Sequence, residues 1–202
     1  MDIIAEIDND IAFKKKQLRE SMIKKGQSLC SEYISASDLA ISQKVFELSE
    51  FGSARSIFIY VNRGFEPGTS LIIDRALELG KNVFVPRIIS KGLMAASRIF
   101  SVSDLVPGQY GILTAPCGAM TVPAAAIDLS LIPCVCASSD GFRLGYGGGY
   151  YDRFFAFRND ESYMADHSRS LNPAYVLCRK EMIVRSLPHD EYDVRFDGII
   201  FD

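Results

Sequence analysis

Apolar residues recur along the chain at two periods, which predict helices alternating with strands. Residues 9–27 carry spaced apolar positions among many charges and predict an amphipathic helix. Residues 38–50 predict a second helix with Ser37 as its cap. Thr69 is placed to cap a third helix that ends at Gly80. The alternation of these helices with short apolar runs favours a three-layer α/β domain.

The predicted strands are short apolar runs, and residues 127–136 form the most strand-like of them. This run is apolar on both faces, as is typical of a central strand covered by helices. The other predicted strands are residues 56–61, 82–86, 93–100, 174–178 and 196–200. A helix is predicted near 149–158, and the polar residues 159–172 predict a mobile segment. We therefore expect residues 1–202 to form a single domain with a mostly parallel central sheet.

The composition narrows the classes of function. The chain has 202 residues and 48% hydrophobic content, which suits one compact core. A net charge of −3 provides no global basic field for nucleic acid. No run approaches the roughly 18 apolar residues of a membrane span. The five cysteines are an odd number without a paired framework, which favours a reduced, cytoplasmic protein. From the net charge and the short apolar runs we expect neither nucleic-acid nor membrane partners.

The segment at 141–155 carries the strongest functional signal, Gly-Phe-Arg-Leu-Gly-Tyr-Gly-Gly-Gly-Tyr-Tyr-Asp-Arg-Phe-Phe. Its glycines leave backbone N–H groups accessible, so the loop can wrap an anion. A helix starting just after it would add a positive dipole end. Arg143 can form paired hydrogen bonds with a phosphate, and Asp152 can hold Mg²⁺ beside it. These properties predict a nucleotide-phosphate site.

Two known phosphate-binding motifs do not fit this loop. The spacing from Gly145 to Gly149 does not match a dinucleotide fingerprint, and the Gly-Lys-Ser/Thr of a P-loop is absent. An ordinary glycine-rich turn between a strand and a helix remains an alternative. Tyr150 and Tyr151 favour a ligand, because two aromatic rings can form a platform for a planar molecule.

Residues 143–152, Arg-Leu-Gly-Tyr-Gly-Gly-Gly-Tyr-Tyr-Asp, resemble the signature of the 5-formyltetrahydrofolate cyclo-ligase family, also called methenyltetrahydrofolate synthetases. The resemblance extends over nearly the whole chain, with decreasing strength away from this loop. It implies a fold similar to the group that contains ribose-phosphate isomerase and CoA transferases. It also implies a ligase, a monomer or weak homodimer, that uses ATP and Mg²⁺ to close the reduced folate 5-formyltetrahydrofolate into 5,10-methenyltetrahydrofolate, with release of ADP and phosphate.

The resemblance also implies roles for residues outside the loop. Lys15 and Arg19 match a Lys and an Arg that bind the ATP phosphates, and a spacing of four places them on one helix face. With Arg143 they would be the catalytic cations. Glu66 matches a Glu that contacts the pterin end of the folate, and Val61 matches an apolar substrate contact. A solvated helix face for Lys15 and Arg19, and an ordinary loop charge for Glu66, remain alternatives.

The glycine-rich loop would contact both ligands. The residues implied for ATP are Lys15, Arg19, Arg143, Leu144, Gly145, Tyr146, Gly147, Gly148, Gly149, Tyr150 and Tyr151. Those implied for the folate are Val61, Glu66, Tyr146, Gly147, Gly148, Gly149 and Tyr150. Asp152 and Asp197 would hold Mg²⁺.

Two segments depart from the family pattern. After the central strand the family usually has Pro-Gly-x-Ala/Gly-Phe-Asp, whereas residues 133–138 are Pro-Cys-Val-Cys-Ala-Ser. The family's later Ala-Phe-x-x-Gln corresponds to residues 178–182, Cys-Arg-Lys-Glu-Met. These departures motivate two alternative functions. One is a relative that binds Mg·ATP but acts on another small substrate, and the other is a non-catalytic nucleotide or folate binder.

Overall fold

The computed structural model describes residues 3–159 and 172–202 of the chain. Its α-helices are α1 (Ile3–Gln27), α2 (Ser31–Glu47), α3 (Ser49–Ser53), α4 (Ser70–Glu78) and α5 (Tyr150–Phe154). Its strands are β1 (Ser56–Ile59), β2 (Asn82–Ser90), β3 (Leu93–Ile99), β4 (Val106–Pro107), β5 (Leu113–Thr114), β6 (Thr121–Val122), β7 (Leu129–Ile132), β8 (Cys136–Ser138), β9 (Arg143–Leu144), β10 (Ala174–Leu177), β11 (Ile183–Val184) and β12 (Gly198–Ile200). Nearly all of the segment predicted to be mobile, 159–172, lies outside the described residues.

A mixed β-sheet forms the centre of the fold. Within the described residues it has seven strands in the order β12-β10-β7-β1-β2-β3-β6. The pairings from β12 across to β2 are parallel, whereas β3 and β6 extend the sheet in antiparallel fashion. The predicted α/β class is therefore confirmed, with an antiparallel extension at one edge of a parallel sheet.

Helices cover both faces of this sheet, because successive side chains of a strand point to opposite faces. In β1, Ile57 packs in a cluster with Ile72 of α4 and with residues of α2. Its neighbour Phe58 packs on the other face with Met22 of α1. A small three-stranded sheet, ordered β11-β8-β9, also packs on the α1 face. This second face is the one that carries the glycine-rich loop.

Two predicted helix caps have other roles. Helix α2 begins at Ser31, so Ser37 lies inside it and donates a hydrogen bond to Asp202 Oδ1 at 2.7 Å. Thr69 precedes α4 without a side-chain cap bond, and its Oγ1 donates to Tyr60 O at 2.8 Å. None of the helices in the described part of the chain combines the length and apolarity that crossing a bilayer requires.

The predicted strand at 127–136 and the helix near 149–158 are both divided. Strand β7 ends at Ile132, and the chain turns at Pro133 before β8 joins the separate small sheet. Helix α5 has five residues and is followed by a 3₁₀ turn at Ala156–Asn159. So short a helix has little dipole, so positive potential at the loop comes from side chains and loop N–H groups instead.

Candidate active site

A cavity of about 1230 Å³ opens where β1 and β7 end. Tyr60 and Val61 line it just after β1, and Pro133 and Cys134 line it just after β7. Ligands of open α/β sheets bind at such carboxyl ends of parallel strands. The volume exceeds the roughly 300–1,000 Å³ of ordinary ligand pockets, so the cavity has space for two substrates.

The sequence-predicted site residues meet in this cavity, with one exception. Those that line it are Lys15, Arg19, Val61, Glu66 and each residue from Arg143 to Asp152. The exception is Asp197, which does not line it. The fold therefore brings the helix, the loop after β1 and the glycine-rich loop to a common space, and the roles of these residues remain predictions.

Helix α1 directs two cations at the cavity. Lys15 is 15% exposed, and its Nζ donates to Asp190 Oδ2 at 2.7 Å and to Asp193 Oδ2 at 2.5 Å. Burial alone would lower the pKa of Lys15, but the two carboxylates outweigh burial and raise it. Arg19 Nε donates to Gly145 O at 2.7 Å. Both side chains therefore contact the cavity wall, which argues against a merely solvated helix face.

Arg143 is a buried cation on strand β9 with capacity for a ligand. Its side chain is 3% exposed, and Nη2 lies 3.0 Å from Asp152 Oδ1. Its guanidinium carbon lies 5.2 Å from the centre of the Tyr151 ring, within cation–π range. Its Nε is buried and has no hydrogen-bond partner. Since Arg143 lines the cavity, its guanidinium can also bind the oxygens of an anion such as phosphate.

The glycine-rich loop adopts a backbone that favours glycine. Gly147 and Gly149 have φ angles of +93° and +63°, which side chains rarely tolerate. Arg153 also holds the loop, because its Nη2 donates to Gly148 O and its Nε donates to Gly92 O at 2.6 Å. The loop is thus held in place by two arginines that line the cavity, Arg19 at Gly145 and Arg153 at Gly148.

A buried carboxylate surrounded by tyrosines forms another part of the cavity. Glu66 is 6% exposed, and its Oε2 accepts a hydrogen bond from Arg63 N at 2.7 Å. Burial raises the pKa of Glu66 to about 7, although the Arg63 N–H opposes that change. Burial also raises the pKa of Tyr60, Tyr146 and Tyr151, and the charge of Glu66 adds to each increase. This combination suits a planar molecule that offers N–H donors.

The structure does not bring the two predicted metal ligands together. The Oδ2 of Asp197 accepts hydrogen bonds from Arg158 Nη2 and from Ala174 N, both at 2.7 Å. These bonds join Asp197 to the start of β10, and Asp197 does not line the cavity that Asp152 lines. These contacts do not favour Asp197 as the second ligand of a cation held by Asp152, and that role stays a prediction.

Three further acidic residues line the cavity besides Asp152 and Glu66, namely Asp190, Glu191 and Asp193. Asp190 and Asp193 are the partners of Lys15. The next residue, Val194, places its N–H nitrogen 3.5 Å from Asp152 Oδ1. Asp190, Asp193 and Asp197 lie within eight residues of one another, and spacing alone did not distinguish them.

The carboxylates of the cavity fit Mg²⁺ as part of a nucleotide complex. Residues 3–159 and 172–202 contain no cluster of three or more His, Cys, Asp or Glu side chains that could hold a metal ion by themselves. Mg²⁺ is commonly held by one or two carboxylates, with water and phosphate oxygens as its remaining ligands. The residues present therefore fit a cation that arrives with ATP rather than one held in a protein cage.

The two segments that depart from the family pattern adjoin the Glu66 region. Cys134 lines the cavity and is 3% exposed. Its hydrogen bond with Cys178, together with burial, raises the pKa of its thiol. The thiol form packs as a small apolar group. Arg179, next to Cys178, lies behind the loop that carries Glu66.

Comparison with known proteins agrees with the resemblance. The profile of the 5-formyltetrahydrofolate cyclo-ligase family matches residues 11–202. The chain is 29% identical to a Caenorhabditis elegans protein named probable 5-formyltetrahydrofolate cyclo-ligase, over 93% of this chain and 92% of the relative. It is 28% identical to a Schizosaccharomyces pombe protein of the same name, over 94% and 96% of the two chains.

Two solved structures share the fold. The 5,10-methenyltetrahydrofolate synthetase of Aquifex aeolicus has a TM-score of 0.77 and 22% identity, and the match covers 93% of this chain and 89% of that one. The synthetase of Mycoplasma pneumoniae has a TM-score of 0.69 and 24% identity, with 92% and 97% covered. Since the family profile spans nearly the whole sequence, this chain belongs to the 5-formyltetrahydrofolate cyclo-ligase family.

Proposed function

We propose that this protein is an ATP- and Mg²⁺-dependent 5-formyltetrahydrofolate cyclo-ligase that forms 5,10-methenyltetrahydrofolate, ADP and phosphate. The observation that carries the proposal is the presence, in one cavity, of a cationic group and a carboxylate–tyrosine group. Lys15, Arg19 and Arg143 form the first, and Glu66 with its tyrosines forms the second. Tyr151 adjoins both groups. Membership of the family supports the same conclusion.

The proposed reaction needs charge neutralisation and alignment rather than a protein nucleophile. The formyl oxygen attacks the γ-phosphorus of ATP, and ADP leaves. N10 of the folate then attacks the formyl carbon and loses its proton, while the C–O bond breaks and phosphate departs. Aligning two substrates and neutralising the transferring phosphoryl group supply the rate enhancement. Lys15, Arg19, Arg143 and the loop N–H groups would do the latter.

We assign the phosphates and the metal to neighbouring side chains. Lys15 and Arg143 now pair with carboxylates, and phosphate oxygens would replace those carboxylates as acceptors. Asp152 and Asp193 would then be available to hold Mg²⁺. When bound, Mg²⁺ neutralises the phosphate oxygens of ATP. The cation–carboxylate pairs therefore keep the cavity charges satisfied until Mg·ATP arrives.

We assign the folate to the Glu66 group. An ionised Glu66 can accept paired hydrogen bonds from the N–H groups of a pterin. The pterin ring would lie among Tyr60, Tyr146 and Tyr151, with Val61 as a further apolar contact. This position would place the folate beside the cations, because the guanidinium carbon of Arg143 lies 5.2 Å from the centre of the Tyr151 ring.

A single-turnover assay tests the function. Protein, Mg·ATP and 5-formyltetrahydrofolate are mixed, and the methenyl chromophore is followed, with parallel reactions lacking ATP or containing EDTA. We expect product only in the complete mixture. Failure to form it at high protein concentration would refute the activity. ATP hydrolysis without methenyl product would favour a different substrate, and ligand-induced stabilisation without turnover would favour a binding protein.

Several finer features stay predictions. They are a single domain over residues 1–202, a monomer or weak homodimer, a cytoplasmic location, and the fold grouping with ribose-phosphate isomerase and CoA transferases. A sedimentation measurement of the purified protein tests the oligomeric state.

A further inference from the structure

Arg179 is a fully buried cation that contacts the backbone of the loop carrying Glu66. Its exposed fraction is 1%. Its Nε donates to Phe65 O at 2.8 Å, and its Nη2 donates to Glu66 O at 3.0 Å. The same Nη2 lies 2.7 Å from Asp38 Oδ1. The Glu66 side chain enters the cavity while its carbonyl points back to Arg179, so this guanidinium holds the loop from behind.

Asp38 fastens the other end of the same loop. Its Oδ1 accepts a hydrogen bond from Gly68 N at 2.7 Å. A Cβ on Gly68 would lie 2.7 Å from Asp38 Oδ2, so any other residue there would force the Asp38 carboxylate to shift. Arg179 Nη1 also donates to Ile34 O at 3.1 Å. Asp38 and Ile34 both belong to α2, so α2 serves as the support against which the loop is held.

The loop is also confined on the side of α1. The Phe65 ring packs so closely on Gly26 that a Cβ there would lie 2.5 Å from the ring. Helix α1 carries Lys15 and Arg19, the proposed phosphate ligands. The distance between the phosphate ligands and Glu66 is therefore fixed by packing on one side and by Arg179 on the other.

We propose that Arg179 and Asp38 are a positioning pair that sets the location of the Glu66 carboxylate, and through it the affinity for the pterin of the folate. This inference rests on the proposed function. Arg179 touches neither substrate, and it acts through the backbone of residues 65–68. The pair should affect folate recognition far more than ATP recognition.

The test compares Arg179→Met with a matched control, Arg158→Met. Arg158 is also buried, with a side chain 4% exposed, and also pairs with an aspartate, but it does not line the cavity. Both variants lose a buried ion pair, so both should have lower melting temperatures. KM for each substrate, kcat and the melting temperature are measured for both.

We expect Arg179→Met to raise KM for 5-formyltetrahydrofolate by about 10- to 100-fold, because small misplacements of a binding group have effects of this size. KM for ATP should change by less than about twofold, and both KM values should stay within about twofold in Arg158→Met. Arg179→Lys should recover part of the folate affinity, since Lys keeps the charge but lacks the planar fork. Equal folate KM in Arg179→Met and wild type would overturn the inference, as would equal increases in both KM values.

A second variant covers the case in which Arg179→Met fails to fold. Asp38→Asn keeps an acceptor for Gly68 N and removes the charge beside Arg179. It should raise KM for the folate selectively, and an unchanged folate KM would overturn the inference. Failure of the function itself is distinct, because wild type would then form no methenyl product. Direct binding of 5-formyltetrahydrofolate, followed by tyrosine fluorescence, would then decide, and equal affinity in wild type and variant refutes the positioning role.

Discussion

Glu66→Gln should stabilise the folded protein while it weakens folate binding. The Glu66 carboxylate is 6% exposed, and burial raises its pKa from an ordinary value of 4.5 to about 7. Gln keeps the size of the side chain and an oxygen that can accept the Arg63 N–H bond. The substitution therefore removes the buried charge and little else.

The size of this effect depends on pH. Because the folded-state pKa is raised, the native protein holds a proton that the unfolded chain releases between about pH 4.5 and 7, so stability falls as pH rises through this range. The destabilisation is complete above about pH 7 and absent below about pH 4.5. The difference between these pKa values corresponds to about 3 kcal/mol. We expect Glu66→Gln to exceed wild type in unfolding free energy by up to about 3 kcal/mol at pH 8 and by little at pH 5.

Urea denaturation at pH 5, 6, 7 and 8 measures this difference, with exposed Glu47→Gln as the control. The advantage of Glu66→Gln should grow with pH, whereas Glu47→Gln should follow wild type throughout. An advantage that is the same at pH 5 and pH 8 would refute the reasoning, because it would not come from ionisation. In the cyclo-ligase assay at pH 8, Glu66→Gln should raise KM for the folate about 10-fold or more, as hydrogen bonds to a charged group are lost.

The remaining predictions concern the phosphate and metal groups. Lys15→Ala should raise KM for ATP about 10-fold or more, and more than KM for the folate, whereas exposed Lys14→Ala should leave both unchanged in steady-state assays. Asp152→Asn should lose most Mg²⁺-dependent turnover while the protein still folds, although its melting temperature should fall because the buried Arg143 loses its charged partner. Near wild-type turnover across a Mg²⁺ titration would contradict the metal assignment. Asp193→Asn should shift the Mg²⁺ dependence of turnover. Asp197→Asn should lower the melting temperature and leave the Mg²⁺ dependence unchanged. The reverse result would favour Asp197 over Asp193 as the second Mg²⁺ ligand.

The order of helices and strands follows from local pattern, and the errors occur where local pattern carries no information. The run 127–136 is largely apolar because β7, the turn after it and the start of β8 are all buried. Nothing in hydrophobicity alone shows that they belong to different sheets. Pro133 was the available signal, since proline cannot donate to a strand ladder. Ser37 had no such local signal. Its hydrogen-bond partner, Asp202, is 165 residues away in the sequence, so no local rule predicts the contact.

The candidate site also combines features that are predictable from local sequence with features that depend on distant contacts. The glycine-rich loop and the Lys15/Arg19 spacing are local, and the structure places them in one cavity. The choice between Asp193 and Asp197 depends on which carboxylate meets Lys15 and which meets Arg158. The Lys15–Asp193 contact spans 178 residues and the Arg158–Asp197 contact spans 39. Contacts between residues so far apart in sequence can be identified only from the folded structure.

The position of Glu66 needs a strong anchor for an energetic reason. An ionised carboxylate that costs about 3 kcal/mol to bury would move toward water if its loop were free to move. Two of the four hydrogen bonds of Arg179 oppose this movement, because they go to Phe65 O and Glu66 O in the loop itself, and hydrogen bonds to charged groups contribute about 1.5–3 kcal/mol each. Two such bonds are comparable to the cost of burying the carboxylate, so they help to keep the loop in place and the carboxylate buried. A pterin that donates N–H bonds to Glu66 would lower the pKa of its carboxyl group. It would thereby recover part of the cost of burial as binding energy, so the buried carboxylate would contribute to folate affinity.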